Sequence, residues 1–311
     1  MGETPLLEGP AMELKHILGR TWAAEGATAL LPVYFLTDRD IVLIDTGYAK
    51  LDRPGLTRLI DDNGLRLRGV ICSHAHFDHT GNVRYLQQRY GCPAAIQLIE
   101  AGISVNPDSY RANYVALTYG KSRQLFLEEC FTADVIIGPE DDHLDMAGAR
   151  FGILQLPGHS AGHIGIVTPD GAAYLGDCLI DHDQIAAAKL PTSMFIARDL
   201  ESKQRLHELD APAYIVAHKQ VLTERAAFDA LIDENIAFIH AKERELLDDL
   251  TDGMTFSDWI AAFCRREDIR THNELKFSVV ERNFSNFAAW LTDIGRVAIQ
   301  REFCAKRYYR A

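Results

Sequence analysis

Seven short apolar runs punctuate the first two thirds of the chain. They are Ile41-Val-Leu-Ile44, Gly69-Val-Ile-Cys72, Ala94-Ala-Ile-Gln-Leu98, Phe151-Gly-Ile-Leu-Gln-Leu156, Ile164-Gly-Ile-Val167, Ala172-Ala-Tyr-Leu175 and Tyr214-Ile-Val-Ala217. Runs of this length, bounded by turn residues, predict buried strands, and the helix-compatible segments between some of them predict a layered α/β structure. Five of the runs lead into a histidine or an aspartate: Asp45, His74, His159, Asp177 and His218. Strand ends that share one rim of a layered fold bring their loop residues together, so the pattern predicts a single site on a rigid base.

The densest part of that pattern is Ser73-His74-Ala75-His76-Phe77-Asp78-His79-Thr80-Gly81-Asn82, with three imidazoles and a carboxylate inside six residues. Desolvating a charged imidazole is costly, and so many together call for a cation that holds them neutral. The i, i+2 spacing puts His74 and His76 on one side of an extended segment. Asp78 and His79 fall where the chain turns into a predicted helix over Thr80 to Tyr90, so two adjacent groups of metal ligands are expected.

This string resembles the signature of the metallo-β-lactamase fold superfamily, and the resemblance spans roughly Ile41 to His218. Ile44-Asp45-Thr46-Gly47 looks like its first motif, His74 to His79 the second, Leu156-Pro157-Gly158-His159-Ser160-Ala161-Gly162-His163 the third, Leu175-Gly176-Asp177 the fourth and Val216-Ala217-His218 the fifth. The resemblance implies an αββα sandwich. It further implies that His74, His76 and His159 bind one metal, Asp78, His79 and His218 a second, and that Asp177 bridges them. Two zinc ions are expected, with iron or manganese as alternatives. Such a site leaves room for a bridging hydroxide as nucleophile, which Asp78 would orient, and for a metal that polarises a carbonyl. Asp45 is expected to accept a proton from the free nitrogen of a metal-bound histidine, the alternative being a turn-forming aspartate before Thr-Gly. His163 is expected near the site, as a catalytic neighbour or as a brace for its loop. Cys178, beside Asp177, is expected to be a buried apolar residue. One departure is visible: Lys219-Gln220 follows His218 where many members of the superfamily carry a glycine.

The expected organisation is a metallo-β-lactamase domain over residues 12–220, with a helical insert over 98–150, and a helical C-terminal extension over 221–311. The insert contains Tyr110, Arg111, Tyr114, Tyr119, Lys121, Arg123 and Phe126, either as a lid or as a peripheral unit packing its aromatics inward. In the extension, helices are expected over Glu224 to Leu250, from Thr255 to about Arg266 behind a Thr255/Asp258 capping box, and from Glu274 to about Phe303. Met12 is a candidate second start.

The formal net charge of −12 works against nucleic acid and anionic membranes as partners. Six scattered cysteines without a CxxC pair, and an N-terminus lacking a basic segment followed by an apolar run, predict reduced thiols and a cytoplasmic protein. The expected reaction is hydrolysis of a small thioester, lactone or other carboxylic ester, as in the glyoxalase II-like and lactonase-like subgroup, with a possible homodimer through the C-terminal helices. A phosphodiesterase is disfavoured by the acidic chain. Two other classes stay open: a mononuclear iron persulfide dioxygenase, and a metal-containing regulatory protein acting through its C-terminal helices.

Overall fold

The fold was obtained as a computed structural model, which describes residues 12–113 and 117–311. Four antiparallel strands open it: β1 (Leu14–Leu18), β2 (Thr21–Glu25), β3 (Leu30–Phe35) and β4 (Asp40–Ile44). Then follow α1 (Ala49–Asp62), β5 (Arg66–Ile71), α2 (Phe77–Thr80), α3 (Val83–Tyr90) and β6 (Ala94–Gln97). Helices α4 (Leu98–Ser104), α5 (Pro107–Asn113) and α6 (Tyr119–Phe126) lead to β7 (Val135–Ile137). The first sheet has the order β1-β2-β3-β4-β5-β6-β7 and turns parallel from β4 onward. Parallel strands covered on both faces lose their polar alternation, and Ile41 to Ile44 are all buried accordingly.

The second sheet is made of β8 (His143–Met146), β9 (Ala149–Gln155), β10 (Ile164–Val167) and β11 (Ala173–Tyr174), joined after α7 (His182–Ala187) and α8 (Ile196–Arg205) by β12 (Tyr214–Val216) and β13 (Gln220–Leu222). Its order is β13-β12-β11-β10-β9-β8. The sheets face each other across one apolar core that includes Val33, Leu43, Val70, Phe151, Ile166 and Ile215. The Tyr34 and Phe151 rings meet edge to face at 5.5 Å across it. At the rim where the strands end, two backbone bonds stitch the layers together: Ile164 N–H to Ser73 O (3.0 Å) and Leu30 N–H to Ala217 O (2.6 Å).

Beyond the sandwich lie α9 (Arg225–Asp249), α10 (Phe256–Arg266), α11 (Glu274–Asp293) and a hairpin of β14 (Val297–Glu302) and β15 (Ala305–Arg310). Thr255 and Asp258 form the reciprocal capping box of α10.

Three expectations are corrected by this architecture. The stretch 98–150 is helical only to Phe126; Val135 onward supplies β7 to the first sheet and β8 to the second, so the segment helps build the sandwich. The helix expected over Thr80 to Tyr90 is split into α2 and α3. The last helix stops at Asp293, and residues up to Phe303 and beyond form the hairpin. The aromatics of the 98–126 helices divide. Tyr110 and Phe126 are buried and stacked at 4.7 Å, whereas Tyr119 is exposed; Tyr114 lies outside the described residues.

Candidate metal centre

The first histidine loop begins where β5 ends. His74 and His76, two residues apart, meet edge to face with ring centroids 4.6 Å apart, and the loop after β9 brings His159 to meet them. Nε2 of His74 and Nε2 of His159 each lie 3.0 Å from Nδ1 of His76. Three nitrogen donors around one zinc, each about 2.1 Å from it in tetrahedral geometry, would be roughly 3.4 Å apart. The three rings therefore fit a cation with a small outward adjustment.

Asp78, His79, Asp177 and His218 form a second group beside the first, with one ligand atom from each lying within 4.8 Å of the others. Asp177 faces both groups. Its Oδ2 is 3.5 Å from His159 Nε2, while its Oδ1 is 3.2 Å from His79 Nε2 and 3.3 Å from His218 Nε2. His79 Nε2 and Asp177 Oδ1 are buried 3.2 Å apart and neither is in a well-directed hydrogen bond, an arrangement that costs free energy unless something else satisfies both atoms. A divalent cation is the group that suits a buried imidazole nitrogen and a carboxylate at once.

What lies behind the rings fixes which nitrogen each presents. His74 Nδ1 meets Ser73 Oγ (3.0 Å), His79 Nδ1 meets Asp45 Oδ2 (2.8 Å), His159 Nδ1 meets the Thr192 carbonyl (2.9 Å) and His218 Nδ1 meets the Thr28 carbonyl (3.1 Å). Asp45 is wholly buried. Its carboxylate also accepts from Ser73 N–H (2.7 Å), Ser73 Oγ (2.6 Å) and Tyr174 Oη (2.7 Å), so it braces the site without belonging to either group. His163 likewise stands outside both: its Nε2 accepts the Asp177 backbone N–H at 3.0 Å, holding the loop that presents the shared carboxylate. That loop needs a glycine. Gly176 has φ +51°, and a Cβ there would sit 2.6 Å from His163 Nε2.

The electrostatics separate the two groups. Burial, reinforced by neighbouring imidazoles, holds His74 and His76 well below the ordinary histidine range, and burial pushes His159 down to about 4. These rings are neutral at pH 7 and offer lone pairs. In the second group burial also opposes charge, but the carboxylates outweigh it. Asp177 and Asp78 raise His79 well above its usual range, and Asp177 holds His218 at about 9. Protons there stand where a cation would provide the same neutralisation. Burial pushes the Cys178 thiol up to about 12, in keeping with an apolar role beside the site. His16, His143, His182, His207, His240 and His272 belong to neither group.

One buried charged residue behind the site had no signal in the sequence. Glu100, on α4, is wholly buried behind the histidine loops, where burial raises its carboxyl while three hydrogen bonds oppose that shift. A cavity of about 490 Å³ opens over the two groups, its far wall made by Asn235 and Ile239 of α9 and Val279 and Arg282 of α11.

An αββα sandwich with a split histidine and aspartate cluster at one rim defines a class of metal-binding folds. The profile of the metallo-beta-lactamase superfamily matches residues 32–218, and the chain belongs to that superfamily. Among curated relatives, it is 26% identical over 146 residues to the hydroxyacylglutathione hydrolase GloC of Haemophilus influenzae, covering 46% of this chain and 62% of that one. It is 30% identical over 155 residues to a hydroxyacylglutathione hydrolase of Thiobacillus denitrificans, covering 48% and 50%. The chain thus spans about half to three fifths of the length of these relatives. Two solved structures share the fold over nearly the whole chain. A metallo-beta-lactamase family protein from Thermus thermophilus has a TM-score of 0.71 at 17% identity, covering 97% of this chain and 99% of that one. A beta-lactamase domain protein from Burkholderia ambifaria has a TM-score of 0.68 at 15% identity, covering 99% and 96%.

Proposed function

We propose that the protein is a metal-dependent hydrolase that binds two zinc ions and cleaves a thioester, lactone or other carboxylic ester. His74, His76 and His159 would hold one ion, Asp78, His79 and His218 the other, with Asp177 between them. The observation that carries this reading is Asp177 itself, whose two carboxylate oxygens face different ligand groups at the base of a partly apolar cavity. When bound, such ions supply an activated water and a Lewis acid for the carbonyl.

The chain's own residues do the rest. Ser73, Asp45, Thr192 and Thr28 hold four rings in the orientation that presents Nε2 inward, and His163 fixes the Asp177 loop. Asp78, which belongs to the second group and lines the cavity, would accept a hydrogen bond from the attacking water. Ile180, Leu190, Ile239 and Val279 offer an apolar wall for an acyl chain. The hydroxyacylglutathione hydrolases among the relatives favour a thioester within this class.

The test is a panel of thioesters, lactones, phosphodiesters and β-lactams, assayed on protein of known metal content with and without chelator. Chelator-sensitive turnover of a thioester or lactone, with two zinc per chain, is the expected result. One iron per chain with oxygen consumption would replace this reading with a persulfide dioxygenase. Turnover of phosphodiesters alone would overturn the ester assignment.

A further inference from the structure

We propose that Glu100 is a positioning residue for the three-histidine group, setting the separation of the loop that carries His74 and His76 from the loop that carries His159. The inference rests on the assignment of those three histidines as metal ligands.

Its geometry is specific. Glu100 Oε2 accepts the backbone N–H of Ala75, the residue between His74 and His76, at 2.8 Å. Glu100 Oε1 accepts from Ser160 Oγ at 2.7 Å and from the Gly162 N–H at 2.7 Å, just past His159. One carboxylate thus receives three donors from two loops that are about 80 residues apart and come from different sheets, and it is fully buried while doing so. A Tyr110 Oη hydrogen bond to the Ala75 carbonyl (2.9 Å) holds the other side of the same residue. Glu100 touches neither the ligand nitrogens nor the cavity, so it acts through the backbone of the ligands. Charge-assisted hydrogen bonds from buried backbone amides are among the stronger ones in proteins, and they are lost when a donor is set against a donor.

Glu100→Gln keeps the shape and breaks that pattern. Whichever way the amide is turned, its NH2 faces the N–H of either Ala75 or Gly162, and only the Ser160 hydroxyl can reverse its role. One histidine loop must back away. The experiment is a cobalt titration of metal-free wild type, Glu100→Gln, Glu100→Asp and Ser160→Ala, following the visible absorption bands, with circular dichroism and thermal melting of the metal-free proteins alongside.

The wild type is expected to take up two equivalents with two distinguishable bands. Glu100→Gln is expected to stay folded without metal, to weaken cobalt binding at one of the two sites at least tenfold, and to leave the other within about twofold. Ser160→Ala, which leaves two of the three hydrogen bonds intact, is expected to shift the same site by less. Glu100→Asp, too short to span both loops, is expected not to restore it. Two outcomes overturn the proposal: wild-type affinity and spectra at both sites in Glu100→Gln despite a lower melting temperature, or equal weakening at both sites. Should Glu100→Gln fail to fold, an unchanged titration of Ser160→Ala overturns it as well. Failure of the wild type to bind any metal would defeat the metal assignment itself, a result distinct from these.

Discussion

At the scale of single residues, Lys219 shows how a departure in sequence becomes a cost in structure. It follows His218 with φ +76°, in the left-handed region where a Cβ is unfavourable and glycine is at ease. The backbone N–H of Lys219 bonds back to the Ala217 carbonyl at 2.9 Å, so this turn sets the direction in which His218 leaves β12. The lysine side chain offers little in return: its ion pair with Glu25 is 3.7 Å long and exposed. Lys219→Gly is therefore expected to raise stability by about 1 kcal/mol, the relief of the left-handed strain exceeding the extra backbone freedom of an unfolded glycine. Urea unfolding of metal-free protein measures it, and a loss of stability would show that the lysine is held by something other than local geometry. The residues of the candidate site were legible for another reason. His74 to His79 stand together in sequence, and His159, Asp177 and His218, with the bracing Asp45, each follow an apolar run, so the pattern and the site coincide. Glu100 was not legible. It is a lone acidic residue at the start of a helix, and its partners Ala75, Ser160 and Gly162 become neighbours only after both sheets have formed.

At the scale of elements, β4, β5, β6, β9, β10, β11 and β12 were legible as short apolar runs closed by turns, whereas β1 to β3, β7, β8, β13 and, last of all, the closing hairpin were not. Its turn is made by Phe303 and Cys304 at φ +45° and +68°, positions where glycine or asparagine is the usual signal. Val297 and Tyr308 are buried while most of the other strand residues are charged or exposed, a pattern that a helix could also show. Helix α11 matters more for function. Asn283 Nδ2 donates to Thr192 Oγ1 at 3.3 Å and Asn286 Nδ2 to the Ser193 carbonyl at 2.9 Å, which fastens α11 to the segment whose Thr192 carbonyl orients His159. The same helix carries Val279 and Arg282 into the cavity wall. Replacing both asparagines by alanine is expected to lower stability by about 1 to 3 kcal/mol. In steady-state kinetics on a hydrolysed ester it is expected to raise KM several-fold and leave kcat within about twofold, because α11 shapes the wall and does not reach the reacting atoms. A fall in kcat with KM unchanged would instead place the effect at His159.

At the scale of the whole molecule, the question is whether the sandwich and the C-terminal extension are stable apart. The extension has an apolar cluster of its own, built from Trp259, Phe263, Phe284, Phe287 and Leu291. Helix α9 joins that cluster to the sandwich, since at 25 residues it is about 37 Å long. Its first half packs Phe228, Leu231 and Ile232 against Leu175, just past β11, and Tyr214 and Val216 of β12, with the Tyr214 and Phe228 rings stacked at 3.6 Å. Its second half places Ile239, Leu246 and Leu247 in the extension's cluster, where Ile196 of α8 also sits. Removing the extension would uncover the outer face of the second sheet behind Asp177 and His218, and each large side chain exposed there costs about 1.5 to 3 kcal/mol. The sandwich runs on through β13 to Leu222, two residues past the boundary expected at residue 220, and we expect the true boundary after Leu222 to mark a change of architecture and not a seam in stability. Metal-free protein should unfold in urea in one transition that coincides by tryptophan fluorescence and far-UV circular dichroism. The fluorescence is a fair reporter of both parts, because Trp22 lies in β2 while Trp259 and Trp290 lie in α10 and α11. A chain ending at Thr223, just past β13, should lack a cooperative melt. Two resolved transitions, with the truncated chain reproducing the first, would show that the sandwich stands alone and that the helices which wall the cavity dock onto an already stable site.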